Sequence, residues 1–148
     1  IMAVANAPIL PFDWRATAAE FAATLAKYQK AAGDDAHLLD SVEAELTRLT
    51  AALDAFYAAI AAGAVTEVGA NTVIQQLARI LVPLNYTPGP RFTHDPALPV
   101  PGLPALSVAG DLGSHGPETL GFARIQLQRG ANRTASALRQ AAGLVAAH

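Results

Sequence analysis

The sequence contains no cysteine among its 148 residues. This absence excludes a disulfide framework, a thiolate metal site and a cysteine nucleophile. Charged residues are also scarce, at 15% against the roughly 25% that is usual for a soluble domain. Ten basic and twelve acidic residues give a net charge of −2, which provides no electrostatic basis for binding nucleic acid or an anionic membrane.

Long apolar runs are missing as well. None reaches the ~18–20 residues that a membrane helix needs, and the first residues lack the layout of a signal peptide. We therefore expect no membrane partner, and the cellular location stays open. Alanine, by contrast, is abundant, with 34 residues. So few charges on one domain-sized chain suggest that other protein covers part of its surface, although a self-sufficient alanine-rich bundle is the alternative.

Proline is confined to narrow parts of the chain. Eight of the ten prolines lie in residues 83–117, and none occurs in residues 14–82. Because proline breaks a helix, the proline-free stretches are predicted to be helical. We expect a single helical domain over residues 1–148, with a leading segment, 1–12, and a long proline-rich loop, 83–116.

The first helix is predicted to begin at Asp13, whose carboxylate can cap free backbone N–H groups, and to end at Gly33. Steps of four and three residues predict one buried face. That face consists of Trp14, Ala18, Phe21, Leu25 and Tyr28.

The second helix is predicted to start at the Asp34–Asp35 pair, which suits the positive end of a helix dipole, and to end at Gly63. It carries the strongest periodic signal in the chain, an unbroken alternation of threes and fours. The predicted seam is Leu39, Val42, Leu46, Leu49, Leu53, Phe56 and Ile60.

The third helix is predicted to run from about Thr66 to Leu81, with Pro83 as its limit. Its inward residues are predicted to be Val73, Leu77, Ile80 and Leu81 or Leu84. The loop that follows has neither helical nor strand period. Its apolar residues predict that it packs on the protein rather than extending into solvent.

The fourth helix has a clear start, with Ser114 or Gly116 as cap, Pro117 at the first position and Glu118 in the first turn. Its predicted seam consists mostly of small residues: Leu120, Leu127, Ala131, Thr134, Leu138, Ala141 and Val145. The expected fold is all-α, a four-helix bundle with a long crossover between the third and fourth helices.

The sequence contains few residues at the spacings that metal-binding or catalytic sites require. No two of the four histidines, His37, His94, His115 and His148, have the i, i+4 helical spacing of a zincin motif. A di-iron bundle needs two Glu-x-x-His motifs, and the nearest match is a single Asp34-x-x-His37. No serine has the strained-turn context of a nucleophile. We therefore expect no catalytic, metal or cofactor-binding residue, and no enzyme activity, in this chain alone.

The densest polar cluster lies in the loop and contains Arg91, His94 and Asp95. Arg91 and His94 could bind a carboxylate on a ligand or on a neighbouring domain. The alternative, which we favour, is structural: Asp95 before a proline starts a turn, and His94 pairs locally.

Two segments resemble a known family. Residues 5–13, Ala-Asn-Ala-Pro-Ile-Leu-Pro-Phe-Asp, resemble the segment that leads into the C-terminal helical domain of glutamate carboxypeptidase and transferrin receptor relatives. Leu84-Asn85-Tyr86 followed by residues 91–98, Arg-Phe-Thr-His-Asp-Pro-Ala-Leu, is similar to the loop after the third helix of that domain in bacterial members. With the helix layout, the resemblance covers essentially the whole chain.

The resemblance implies a dimerisation domain that pairs two protomers and packs against an upstream zinc peptidase domain. Family members hold two metals with His, Asp and Glu residues of that upstream domain, and none of those motifs is present here. Carboxypeptidase members also place a Lys-Tyr pair from the long loop in the substrate pocket. This chain has Leu98-Pro99-Val100-Pro101 in that area, so glutamate specificity does not carry over.

The leading hypothesis is thus a non-catalytic dimerisation domain, in which apolar residues outside the internal seams bury against a second copy. Candidates for this interface are Leu38, Tyr57 and Val73. The alternatives are a helical adaptor that binds an unrelated partner and a cofactor-binding bundle.

Overall fold

The computed structural model describes residues 7–89 and 99–148, and within these ranges the protein is all-α. The four helices are α1 (Trp14–Ala32), α2 (Asp40–Ala61), α3 (Glu67–Tyr86) and α4 (Pro117–Ala146). Three 3₁₀ segments connect them: Gly33–Leu39, Pro104–Gly110 and Leu112–Ser114. The four-helix bundle with a long connection before the last helix is therefore confirmed.

Helix ends follow local chemistry. The Asp13 side chain accepts a hydrogen bond from the Arg15 backbone N–H at 3.0 Å and caps α1, as predicted. Thr66 caps α3 by accepting from the Gly69 backbone N–H. Gly33 and Gly63 adopt positive φ angles of 56° and 70°, a conformation that glycine adopts without steric cost.

Two predicted helix boundaries are wrong. The chain from Gly33 to Leu39 is 3₁₀, so α2 begins at Asp40 rather than at the aspartate pair. In addition, α3 continues through Pro83 to Tyr86. Pro83 removes only the hydrogen bond to the Arg79 carbonyl, and both residues are exposed, so water can solvate that carbonyl.

The core is built around α2 and α4, which make the most extensive helix–helix contact. Every predicted seam residue of α2 is buried except Ile60, which is half-buried, and the α4 seam is buried from Leu127 to Val145. Small residues on α4 allow α2 and α4 to approach each other closely. Ion pairs join Asp35 to Arg124 and Glu45 to Arg139, so the chain from Asp35 into α2 runs in the same direction as α4.

The connection after α3 folds back onto the bundle as a returning segment, residues 99–114. Leu103, Leu106 and Ala109 are buried in the core, as the apolar content of the loop predicts. The Tyr28 hydroxyl donates to the Gly102 carbonyl at 2.8 Å. The backbone N–H of Leu103, whose φ is 48°, donates to Asn85 Oδ1 at 3.3 Å. The segment is thus fixed against both α1 and α3.

Candidate functional site

Side chains that could hold a metal ion do not cluster in the part of the chain that the structure describes. No group of three or more His, Asp or Glu residues there has the geometry of a metal site. His37 Nδ1 lies 3.0 Å from the Asp34 carbonyl oxygen, and His115 Nδ1 lies 3.4 Å from Thr119 Oγ1. Both imidazoles are exposed and engaged locally, an arrangement that provides no acid–base pair.

The most buried carboxylates serve the helix packing. The side chains of Asp35 and Glu45 are only 14% and 13% exposed, and each meets an arginine of α4. Arg124 Nε lies 2.9 Å from Asp35, and Arg139 Nε lies 2.7 Å from Glu45. A carboxylate out of water requires such a partner, because desolvation of an unpaired charge is costly. These pairs hold α4 in register with the chain from Asp35 to Glu45.

Polar side chains also fix the leading segment to the bundle. The Leu10 backbone N–H donates to Asn71 Oδ1 at 2.7 Å, and Asn71 Nδ2 donates to the Pro8 carbonyl at 2.9 Å. Trp14 Nε1 donates to the Ile74 carbonyl at 3.2 Å. One asparagine therefore satisfies the backbone of a segment about 60 residues away in sequence.

Tyr57 completes this attachment. Its hydroxyl donates to the Phe12 carbonyl at 2.7 Å and accepts from the Trp14 backbone N–H at 3.1 Å. Burial raises the pKa of Tyr57. The Arg15 guanidinium lies 4.7 Å from the centre of the Tyr57 ring, and its hydrogen bond to Asp13 lowers the pKa of that carboxyl. Tyr57 is thus a structural residue that positions the leading segment.

A shallow groove of about 180 Å³ lies between α1 and α2. Its polar groups are already engaged: Gln29 Nε2 donates to Glu43 Oε2 at 2.8 Å, and the Thr47 and Thr50 hydroxyls donate to backbone carbonyls one turn earlier. The remaining lining is Ala22, Leu25, Ala26 and Leu46. Each polar side chain of the lining therefore already has a partner within the chain, and half of the lining residues are apolar.

Large apolar side chains lie on the outside of α3 instead. Val68, Val82 and Tyr86 are 77%, 45% and 63% exposed. With three further exposed residues they form one line along the helix, which we name the outer stripe: Val68, Thr72, Gln75, Arg79, Val82 and Tyr86. Among these six, Arg79 is the single charged residue. Phe12, Phe122 and Ile125 are exposed elsewhere, at 55%, 72% and 52%.

The three predicted interface residues differ in how deeply the structure buries them. Val73 is completely buried, so its proposal as an interface residue is wrong, while its inward assignment is confirmed. Leu38 and Tyr57 are half-buried and pack against the core. The loop cluster of Arg91, His94 and Asp95 lies outside the described residues.

Sequence reasoning missed the outer stripe, although a signal was present. The buried residues of α3 recur at the helical period, and the opposite positions carry Val68, Val82 and Tyr86, where a solvated face normally carries charge.

In the described part of the chain, no helix combines the length and the apolarity that crossing a bilayer requires.

Comparisons with known proteins do not add a family. Neither the family profiles, nor the curated proteins, nor the solved structures contain a match to this chain.

Proposed function

We propose that this chain is a non-catalytic helical domain that acts by association, pairing with a second copy of itself. The observation that carries the proposal is the placement of its side chains. The interior of the described bundle is filled with hydrocarbon, and large apolar side chains remain on the outside of α3 and α4. Burying such residues against another protein is favourable at roughly 25 cal/mol per Å².

The resemblance of the two segments extends this proposal to a domain that packs against an upstream zinc peptidase domain. The leading segment supports such a role, because Asn71 holds it against α3 and Tyr57 holds it against α2. A preceding domain would therefore be joined to the bundle through an ordered segment from Pro8 onwards. Zinc would belong to that domain, and no residue of this chain is proposed to bind it.

Sedimentation equilibrium over a range of micromolar concentrations tests the pairing. We expect a monomer–dimer equilibrium whose dimer fraction rises with concentration. A strictly monomeric chain at every concentration would refute homodimerisation by this domain. A monomer that bound an unrelated protein with defined stoichiometry would instead support the adaptor alternative.

The link to a peptidase is tested separately. We expect the coding sequence upstream of this chain to encode a domain with His, Asp and Glu metal ligands. An upstream region without such residues would remove the peptidase part of the proposal and leave the pairing part intact.

A further inference from the structure

The returning segment presents an apolar ridge to the bundle. Its longer 3₁₀ helix, Pro104–Gly110, has seven residues, more than the three or four at which most 3₁₀ helices stop. Because a 3₁₀ helix has three residues per turn, side chains three positions apart lie above one another. The segment turns a buried apolar residue into the bundle at every third position: Leu103, Leu106, Ala109 and Leu112.

This ridge takes the place of a direct contact between two helices. In the described part of the chain, α1 and α4 make few contacts with each other, and the returning segment packs against both. On the α1 side, the Tyr28 hydroxyl bonds to the Gly102 carbonyl, and on the α4 side Ala105 lies close against Gly130. The space between α1 and α4 is therefore filled by the returning segment and would open if the segment left.

The polar attachment of the segment is confined to one end. Within residues 7–89 and 99–148, two hydrogen bonds join it to the helices. One is the bond from the Tyr28 hydroxyl to Gly102, and the other runs from the Leu103 N–H to Asn85 Oδ1 at 3.3 Å, a long distance for such a bond. Beyond Leu103 its hydrogen bonds are local, as from the Leu106 N–H to the Leu103 carbonyl at 2.9 Å. The segment can therefore leave without breaking the backbone ladder of a helix.

Backbone strain is located at the same end. Leu103 has φ 48° and ψ 56°, in the left-handed region that side chains with a Cβ disfavour. Its side chain is only 1% exposed, so burial of the ridge is what keeps the backbone in this conformation. The closed position thus balances apolar burial against a strained residue and a long hydrogen bond.

We propose that the returning segment opens as one unit while the four helices stay folded, so that the apolar space between α1 and α4 becomes transiently accessible. Opening breaks the two hydrogen bonds at residues 102 and 103, relaxes Leu103 and withdraws the ridge. The contact between α2 and α4 remains, with its ion pairs. Units of this kind open at a lower free energy than the whole protein. The inference concerns a motion within one copy and does not depend on the proposed pairing.

Thiol labelling measures the opening, because the chain has no cysteine of its own. Ala109→Cys places a thiol on the ridge, at a completely buried position. Ala135→Cys places one at a buried position of α4, one turn before the Arg139 that pairs with Glu45 of α2. When closing is faster than labelling, each rate reports the population of the form that exposes the thiol. We expect the thiol at position 109 to react about tenfold faster than the one at 135, or more.

Two asparagines of α3 provide matched variants. Asn85→Ala removes the acceptor of the Leu103 amide, and Asn71→Ala removes the acceptor of the Leu10 amide in the leading segment. An amide left without its partner shifts the equilibrium roughly tenfold, so Asn85→Ala should raise labelling at both thiol positions by that factor. Asn71→Ala should raise it at position 135 and leave position 109 unchanged, because the leading segment stays attached when the returning segment opens.

An equal effect of Asn71→Ala at both positions would show that position 109 reacts only when the whole bundle unfolds, and would overturn the proposal. Equal labelling rates at the two positions in the otherwise unmodified chain would do the same.

Hydrogen exchange of the cysteine-free protein provides a second measurement that no thiol disturbs. The Leu106 amide should exchange about tenfold faster than the Leu49 amide of α2, or more. Its rate should also rise with urea, because opening exposes the apolar ridge. A Leu106 rate equal to that of Leu49 would refute a separate opening. A rate that does not depend on urea would indicate a fluctuation of one 3₁₀ turn and would refute the opening of the segment as a unit.

Discussion

Gly130 lies where α4 packs closely against Ala105 of the returning segment, and its replacement by alanine tests that packing. A Cβ added to Gly130 would lie 2.9 Å from the carbonyl carbon of Ala105 and nearer still to the carbonyl oxygen. Carbon atoms in contact prefer about 3.5–4.0 Å. The returning segment would therefore have to move away from α4 to admit one methyl group.

Two opposing effects determine the outcome of Gly130→Ala. Alanine is about 1 kcal/mol better than glycine in a helix interior. Overpacking costs about 1–3 kcal/mol, and a segment that lifts away also exposes Leu103 and Leu106, which are worth about 1.5–3 kcal/mol each when fully buried. The packing cost is the larger, so we expect the free energy of unfolding to fall by about 1–3 kcal/mol.

The same helix provides a matched control. Gly121 has open space where a Cβ would lie, so Gly121→Ala should raise the free energy of unfolding by up to ~1 kcal/mol. Urea unfolding followed by far-UV circular dichroism measures both variants. A separation of about 2 kcal/mol corresponds to about 4–8 °C in Tm for a chain of this size. If Gly130→Ala were as stable as Gly121→Ala, the close approach of the returning segment to α4 would be refuted.

Three further changes test other contacts. Leu49→Ala, in the centre of the α2 seam and completely buried, should cost ~2–5 kcal/mol, and a loss below ~0.5 kcal/mol in chemical denaturation, typical of a surface change, would contradict its burial. Asn71→Ala removes both hydrogen bonds to the leading segment, so hydrogen exchange at the Leu10 amide should accelerate, and unchanged exchange would show that the attachment lies elsewhere. Burial raises the pKa of Tyr28, so as the pH rises the Tyr28 hydroxyl loses its proton in the unfolded chain before it does so in the folded chain. The contribution of this buried hydroxyl to the free energy of unfolding is therefore complete below about pH 10 and is lost as the pH rises above that value. Tyr28→Phe should therefore flatten the fall in unfolding free energy at alkaline pH, and an unchanged alkaline slope would contradict the burial of this hydroxyl.

The helices could be predicted because their signals are local. The alternation of apolar residues from Leu39 to Ile60 determines which face of α2 is buried whatever packs against it. The Asp13 cap and the Gly33 terminus depend on neighbouring residues only. The start of α2 was missed because 3₁₀ and α turns have the same composition and differ in which carbonyl accepts each hydrogen bond.

Contacts between distant segments could not be predicted. Nothing near Asn71 or Tyr57 in sequence indicates that their side chains hold the chain 63 and 45 residues earlier. Glycines within α4 are visible in the sequence, but Gly121 and Gly130 cannot be told apart there. The difference lies in Ala105, which the fold brings against one of them and not the other.

The outer stripe raises the same question for function, because single exposed apolar residues are normal on any protein surface. The alignment of these residues along one side of α3 is what favours a partner. Val68 and Tyr86 are 18 residues apart, which is five full helical turns, so both project from the same side of α3. Val82 lies one turn before Tyr86 on that side, and the stripe contains a single charged residue. A helix selected only for folding and solubility would carry lysine or glutamate at such positions with no loss of core packing, so a line of this length with one charged residue favours the proposal that a second surface covers it.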